Sequence, residues 1–147
     1  MEISKISIRE IENIPDDIAM LGKFLNLAGS SLQSFRYFST RNLDIIRNHV
    51  ATILLFLNEE PIGYGHLDKD GKNIWLGICI AEAYRGKGLG TVLIKKLIEI
   101  AKLRGVSELS LRVDRDNINA ITLYKSNKFI IAPDDNDKSY LMKASLS

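Results

Sequence analysis

Arg85-Gly86-Lys87-Gly88-Leu89-Gly90 places three glycines in five residues between a strand pattern and a helix pattern. Before it runs Ile74-Trp75-Leu76-Gly77-Ile78-Cys79-Ile80; after it Leu89, Val92, Leu93, Leu97 and Ile100 recur at the spacing of one helix face. Without Cβ atoms the backbone N–H groups stay unshielded just where a helix begins. Unpaired donors there act with the positive end of the helix dipole, so the turn suits a phosphate or pyrophosphate. Arg85 and Lys87 add positive charge at its rim. Two familiar phosphate loops fail on spacing. A Walker loop needs G-x-x-x-x-G-K-[ST], and Lys87 is followed by Gly88; a dinucleotide fingerprint counted from Gly86 ends on Thr91 instead of glycine. On the glycines alone, a tight strand-to-helix turn with solvated basic residues is an equal alternative.

The chain has 147 residues, with 46% hydrophobic and 26% charged, as expected of one globular domain over 1–147 with a real core. A net charge of +2 without a dense Lys/Arg run gives no footprint for nucleic acid. One cysteine excludes an internal disulfide framework and suits a reducing compartment. The apolar run Val50 to Leu57 is too short to span a bilayer, and Met1-Glu2-Ile3-Ser4-Lys5 lacks a signal-peptide pattern. No membrane partner and a cytoplasmic location are therefore expected.

Ile3, Ile6 and Ile8 read as a first strand. Pro15-Asp16-Asp17 opens a helix with Ile18, Leu21, Leu25 and Ala28 on its apolar face, ended by Gly29-Ser30-Ser31. A second short helix is expected over Thr40–His49, with Leu43, Ile46 and Val50 on one side. Strands follow at Thr52–Leu57 and Ile62–Asp68, joined through Asn58-Glu59-Glu60-Pro61, and Asp70-Gly71-Lys72-Asn73 turns into Ile74–Ile80. The long helix runs from about Gly88 to Arg104 and stops at Gly105. Leu109, Leu111 and Val113 alternate as a half-buried strand, then come a helix over Asn117–Ser126 and strands near Phe129–Ile131 and Ser139–Lys143. This order makes an α+β fold in layers.

Arg85-x-x-Gly88-x-Gly90 resembles the R-x-x-G-x-G/A acetyl-CoA loop of the GNAT superfamily of N-acetyltransferases. Downstream, Asn117-x-x-Ala120-x-x-Leu123-Tyr124, closing on Phe129, is similar to that family's N-x-x-A-x-x-L-Y-x-x-x-G-F helix. Both occur in order with a strand between them, and the resemblance covers about Glu60 to Phe129. It implies a central mixed, mostly antiparallel sheet flanked by about four helices. It also implies acetyl-CoA as acyl-donor cosubstrate, no metal, and transfer of acetyl to a primary amine by direct attack. One position departs: the family's glycine before Phe129 is Lys128. That puts the local turn in doubt, since glycine there serves a left-handed helix end.

The resemblance carries the following roles onto this chain. Cofactor contacts fall to Ile78 and Ile80, whose backbone would pair with the pantetheine arm, to Asn117 and Tyr124, and to Arg85, Gly86, Lys87, Gly88, Leu89, Gly90 and Thr91 around the pyrophosphate. Gly77 or Cys79 would offer an amide to the developing oxyanion. Tyr124 matches the tyrosine that protonates the departing thiolate; a phenol near pKa 10 is a usable acid for that step. On residue type alone packing is the better account of a helix tyrosine, but Asn117, Ala120 and Leu123 in register favour the functional role; helix capping alone explains Asn117.

For the base, strand alternation puts Tyr64, His66 and Asp68 on one face, and His66 has the intrinsic pKa for proton removal near neutrality. Glu82 is the carboxylate alternative. Ser34-Phe35-Arg36-Tyr37-Phe38 lies beside the helices that shape the acceptor pocket in the family, so Phe35, Arg36, Tyr37 and Tyr64 are the acceptor candidates. Together with the Gly-Tyr-Gly-His-Leu-Asp strand, this stretch resembles GNAT proteins of surface-sugar biosynthesis, which favours a small molecule such as an amino sugar over a protein acceptor. A homodimer is compatible with the family. The competing reading is a non-catalytic acyl-CoA sensor on the same fold.

Overall fold

The structure is a computed structural model and describes residues 5–146. Of the first expected strand, Ile3 lies outside the described residues. The elements run β1 (Ile6–Glu10), α1 (Pro15–Ala28), β2 (His49–Leu57), β3 (Glu60–Asp70), β4 (Asn73–Ile80), α2 (Leu89–Leu103), β5 (Glu108–Asp114), α3 (Ile118–Ser126), β6 (Ile130–Ala132) and β7 (Ser139–Ser145). One seven-stranded sheet joins them in the order β1-β2-β3-β4-β5-β7-β6. All neighbours are antiparallel except β4 and β5.

The centre of the sheet is covered on both faces, which explains the unbroken apolar run of β2. Ile53 and Leu55 join Leu93 and Leu97 of α2 in one core, while Leu54 and Phe56 join Leu21 and Phe24 of α1 in the other. Burying each such side chain contributes about 1.5–3 kcal/mol. The apolar face that each helix's spacing creates is the one turned onto the sheet. Among the described residues no helix is long and apolar enough to cross a membrane.

Where a second helix was expected over Thr40–His49, the chain makes short 3-10 turns instead, at Tyr37–Ser39 and Leu43–Asn48. His49 starts β2, paired with Asp68, and Val50 packs on the α2 side while Leu43 and Ile46 pack on the α1 side. Strand pairing captures His49 and Val50 at the end of the periodic segment, and the residues before them form 3-10 turns instead of an α-helix. The β2–β3 turn is also tighter than expected. Asn58 takes φ 56, and Pro61 already lies in β3 opposite Phe56, beside a register shift.

Two helix ends share one geometry. After α2, Val106 N–H donates to Ala101 O and Gly105 N–H to Lys102 O, with Gly105 at φ 77. After α3, Phe129 N–H donates to Tyr124 O and Lys128 N–H to Lys125 O, with Lys128 at φ 72. Both are Schellman ends. Lys128 thus occupies the left-handed position that glycine was expected to fill, and the turn into Phe129 is kept. The Tyr124 and Phe129 rings, 5.9 Å apart edge to face, supply the apolar contact that accompanies such an end.

Candidate active site

β4 and β5 share a single register pair, Trp75 with Ser110, and then part. Beyond it, Leu76 to Ile80 keep their ladder to β3 on one edge but have no pairing with β5 on the other. The wedge between the strands opens into a cleft of about 790 Å³, within the range of small-molecule and cofactor sites. Ile78 and Ile80 form one wall; Val113 of β5 with Asn117, Ala120 and Tyr124 of α3 form the opposite one. The glycine loop and the start of α2 close one end, and Ser31, Phe35 and Arg36 overhang from the turns after α1.

At the loop end the backbone is prepared for an anion. Gly86 and Gly88 have φ 77 and 79, a conformation costly to residues bearing Cβ. Beyond chain neighbours, no heavy atom lies within 4 Å of where a Cβ would stand at either. Gly88 is the N-cap of α2 and no side chain caps that helix, so its first-turn N–H groups have no side-chain acceptor. Arg85, Leu89, Gly90 and Thr91 also line this end. Lys87 is exposed and stands off the wall.

Tyr124 reaches the cleft from α3 and is 7% exposed. Burial pushes its phenol well above 10, with Cys79 adding in the same direction. The hydroxyl therefore keeps its proton across the physiological range. Asn117 caps α3, its Oδ1 accepting from Ala120 N–H at 3.3 Å. That commits the carbonyl oxygen and leaves the amide N–H groups for a ligand. Cys79 lines the cleft as a thiol, pushed up to about 12 by burial against the opposing pull of Arg85.

The aromatic and titratable residues of β3 lie elsewhere. His66 is 3% exposed, its Nδ1 hydrogen-bonded to the Tyr64 hydroxyl at 2.6 Å, and neither residue lines the cleft. Burial pushes its imidazole well below 6.5, and His49 and Arg41 add to this. Its ring lies 4.4 Å from Tyr37 and 4.8 Å from His49. Its ring packs over Gly77 of β4, where a Cβ would meet His66 Nε2 at 2.5 Å.

Tyr37 is likewise turned inward. Its hydroxyl donates to Asp68 Oδ2 at 3.0 Å and lies 2.7 Å from His49 Nε2, while His49 Nδ1 lies 2.8 Å from Thr52 Oγ1. One consistent chain of donors runs from Thr52 O–H to His49 Nδ1, from His49 Nε2–H to Tyr37, and from Tyr37 O–H to Asp68. It requires a neutral His49, and burial does push that imidazole down. The aromatic residues gather here because rings and their hydrogen-bonded tips are most stable shielded from water.

Glu82 stands outside the cleft wall. Its Oε1 accepts from Ser30 N–H at 2.8 Å, which lowers its carboxyl below the usual range, and Arg85 donates to Ser30 Oγ at 3.0 Å. Glu82 and Arg85 thus pin the turn after α1 to the loop before α2.

Of the acceptor candidates, Phe35 and Arg36 line the cleft; Tyr37 and Tyr64 are packed behind Phe35, within 6.3 and 5.3 Å of its ring. Sequence reasoning missed Asp114, Asn119 and Ser31. Asp114 ends β5 and pairs with Arg36 across the cleft at 3.6 Å. Asn119 follows the cap of α3, a position that the helix pattern could have pointed out. Ser31 sits in what read as a helix terminator.

Residues 20–129 match the model of the Acetyltransferase (GNAT) family. Over 70 residues the chain is 39% identical to the thialysine N-epsilon-acetyltransferase of Mus musculus, a match covering 44% of this chain and 41% of that protein. The chain therefore spans about two fifths of the curated relatives it matches. An acetyltransferase of the GNAT family from Streptococcus pneumoniae superposes with TM-score 0.76 at 26% identity, over 97% of this chain and 99% of that one. The PaiA N-acetyltransferase of Thermoplasma acidophilum, crystallised with coenzyme A, shares the fold with TM-score 0.76 at 20% identity, over 95% and 98% of the two chains. With the family model spanning most of its length, and with the strand wedge, glycine loop and α3 tyrosine in place, this chain belongs to the GNAT family of acetyltransferases.

Proposed function

We propose that this protein transfers an acetyl group from acetyl-CoA to a small primary amine by direct attack. The observation that carries the reading is the β4–β5 wedge, which runs from an open glycine cradle at a helix start to the buried hydroxyl of Tyr124. Acetyl-CoA would supply an activated acyl group and a thiolate leaving group. The first-turn N–H groups of α2 and the Gly86 and Gly88 backbone hold the pyrophosphate. The unpaired edge of β4 at Leu76 to Ile80 receives the pantetheine arm as an added strand would. Tyr124, kept protonated by burial, delivers a proton to the leaving sulfur.

The acceptor enters beside Phe35 and Arg36. Its surplus proton leaves through water rather than through His66 or Glu82. His66 is buried outside the cleft lining and its imidazole is held neutral; Glu82 is fixed on Ser30 as an anion. Amines enter as free base, so turnover rises with pH towards the acceptor's own pKa.

Free-thiol release from acetyl-CoA tests the reading over a panel of amino sugars, polyamines, amino acids including thialysine, aminoglycosides and peptides. Titration calorimetry with CoA and with ATP runs alongside. CoA binding together with amine-dependent thiol release is expected. CoA binding with no turnover on any amine would make the protein an acyl-CoA sensor. ATP competing as well as CoA would make the loop a general phosphate binder.

A further inference from the structure

Ser31 Oγ is the one buried side-chain polar atom without a hydrogen-bond partner among the described residues. The residue is 7% exposed and lines the cleft. Such an orphan is costly, since a buried hydroxyl without a partner forfeits its hydration. The backbone around it is held firmly. Ser31 O accepts from Ser34 N–H at 3.2 Å and from Phe35 N–H at 3.1 Å. Next to it, Ser30 is tied on both sides, to Glu82 at 2.8 Å and to Arg85 at 3.0 Å. The 3-10 turn Gly29–Gln33 is therefore fastened to the segment that leaves β4 and enters the glycine loop. Any ligand running from the cradle along β4 passes beneath it.

We infer that Ser31 is a positioning residue whose hydroxyl pairs with an amide of the pantetheine arm where the arm runs along β4 past the turn after α1. This rests on the CoA reading above. A hydroxyl both donates and accepts, so it suits an amide N–H or C=O equally. With no protein partner to give up, one staggered step about χ1 re-aims the oxygen without moving the backbone. The arm is the better occupant than the acceptor amine, because Glu82 and Arg85 hold the neighbouring Ser30, and with it the turn that carries Ser31, at the loop end of β4.

The test compares wild type and Ser31→Ala by calorimetry with two probes, CoA and adenosine 3′,5′-bisphosphate, which keeps the nucleotide end but lacks the arm. CoA affinity should fall about two- to tenfold, the net worth of one hydrogen bond. Affinity for the bisphosphate should stay within about twofold. The melting temperature of the ligand-free variant should stay level or rise, since an unpaired buried oxygen has been removed. A purely structural serine would do the reverse: lower melting temperature, unchanged CoA affinity. That result overturns the inference, as does equal loss for both probes. Unchanged CoA affinity with a raised KM for the amine would move Ser31 to the acceptor and also overturn it. Wild type failing to bind CoA would instead sink the function reading on which it rests.

Discussion

The cleft between β4 and β5 and the aromatic chamber behind β3 are separated by one strand, yet they are opposite in kind. The cleft joins backbone left unpaired, at a glycine loop and along a strand edge, to side chains from β5, α3 and the turn after α1. The chamber is filled by Phe35, Tyr37, Tyr64, His49 and His66, ring against ring and hydrogen-bonded to one another. Catalytic-looking residue types are denser in the chamber, but they are sealed, and burial drives both histidines towards neutrality. The difference teaches that unpaired donors, rather than gathered titratable side chains, mark the cleft that the proposed function uses.

The comparison breaks most readily at the loop. Gly88→Glu puts a Cβ and a carboxylate where φ is 79 and the cradle is open. CoA affinity should fall by about a hundredfold or more, while circular dichroism shows the sheet intact. Retained affinity in the folded variant would remove the loop from the site. Next is Tyr124→Phe, which keeps the ring against Phe129 and deletes only the proton donor. Its kcat should drop roughly ten- to a thousandfold with CoA affinity changed less than about twofold. A fully active variant would reassign Tyr124 to packing.

The strand between the two regions gives a third test. Gly77→Ala drives a methyl into His66 Nε2, and that ring is boxed in by Tyr37 and Tyr64. A loss of about 1–3 kcal/mol in denaturant unfolding is expected. Adding His66→Ala should recover part of it, as coupled neighbours do. If the two changes simply add, the ring is not held against Gly77.

Acid sharpens the picture of the chamber. The folded-state pKa of His66 lies below its unfolded value near 6.5, so the unfolded chain binds a proton that the folded chain refuses. Its contribution is present above pH 6.5 and is lost as pH falls below that value, with a limiting slope of about 1.4 kcal/mol per pH unit. His49 acts in the same sense. Urea midpoints should therefore fall as pH is lowered from about 7.5 to about 5 in wild type, and fall less in His66→Asn. Turnover of that variant near neutrality should stay within about threefold if the acceptor's proton leaves through water; a larger loss that shrinks at high pH would restore His66 as base. The smallest effect is expected at Lys128→Gly, which relieves a left-handed lysine and should raise stability by about 0.5–1 kcal/mol.

Much of the fold was legible because its signals are local. Glycine at 105 and the basic last turn ended α2 where expected, and Asn117 capped α3. Lys128 shows the limit of such signals. The same helix end as at Gly105 forms without glycine, because the Tyr124–Phe129 packing and two backbone hydrogen bonds outweigh the backbone preference of one residue. Thr40–His49 failed as a helix for a related reason: β3 offered His49 a partner, and long-range pairing overrode the helical spacing. At the site, the loop and the α3 motif were readable as spacing. Ser31 and Asp114 were not, because a serine in a terminator and an aspartate at a strand end are commonplace until the fold brings them over one cleft.

The amino-acid sequence alone determined the element types outside Thr40–His49, the anion-suited turn and the motif register of Asn117 to Phe129. All of these depend on residues within a dozen positions of one another. Tertiary structure alone decided where β4 and β5 separate, which side chains the resulting wedge exposes, and that Tyr64 and His66 are packed against it from behind. Burial and the resulting pKa shifts are sums over neighbours distant in sequence, so a histidine reads the same on paper whether water reaches it or not.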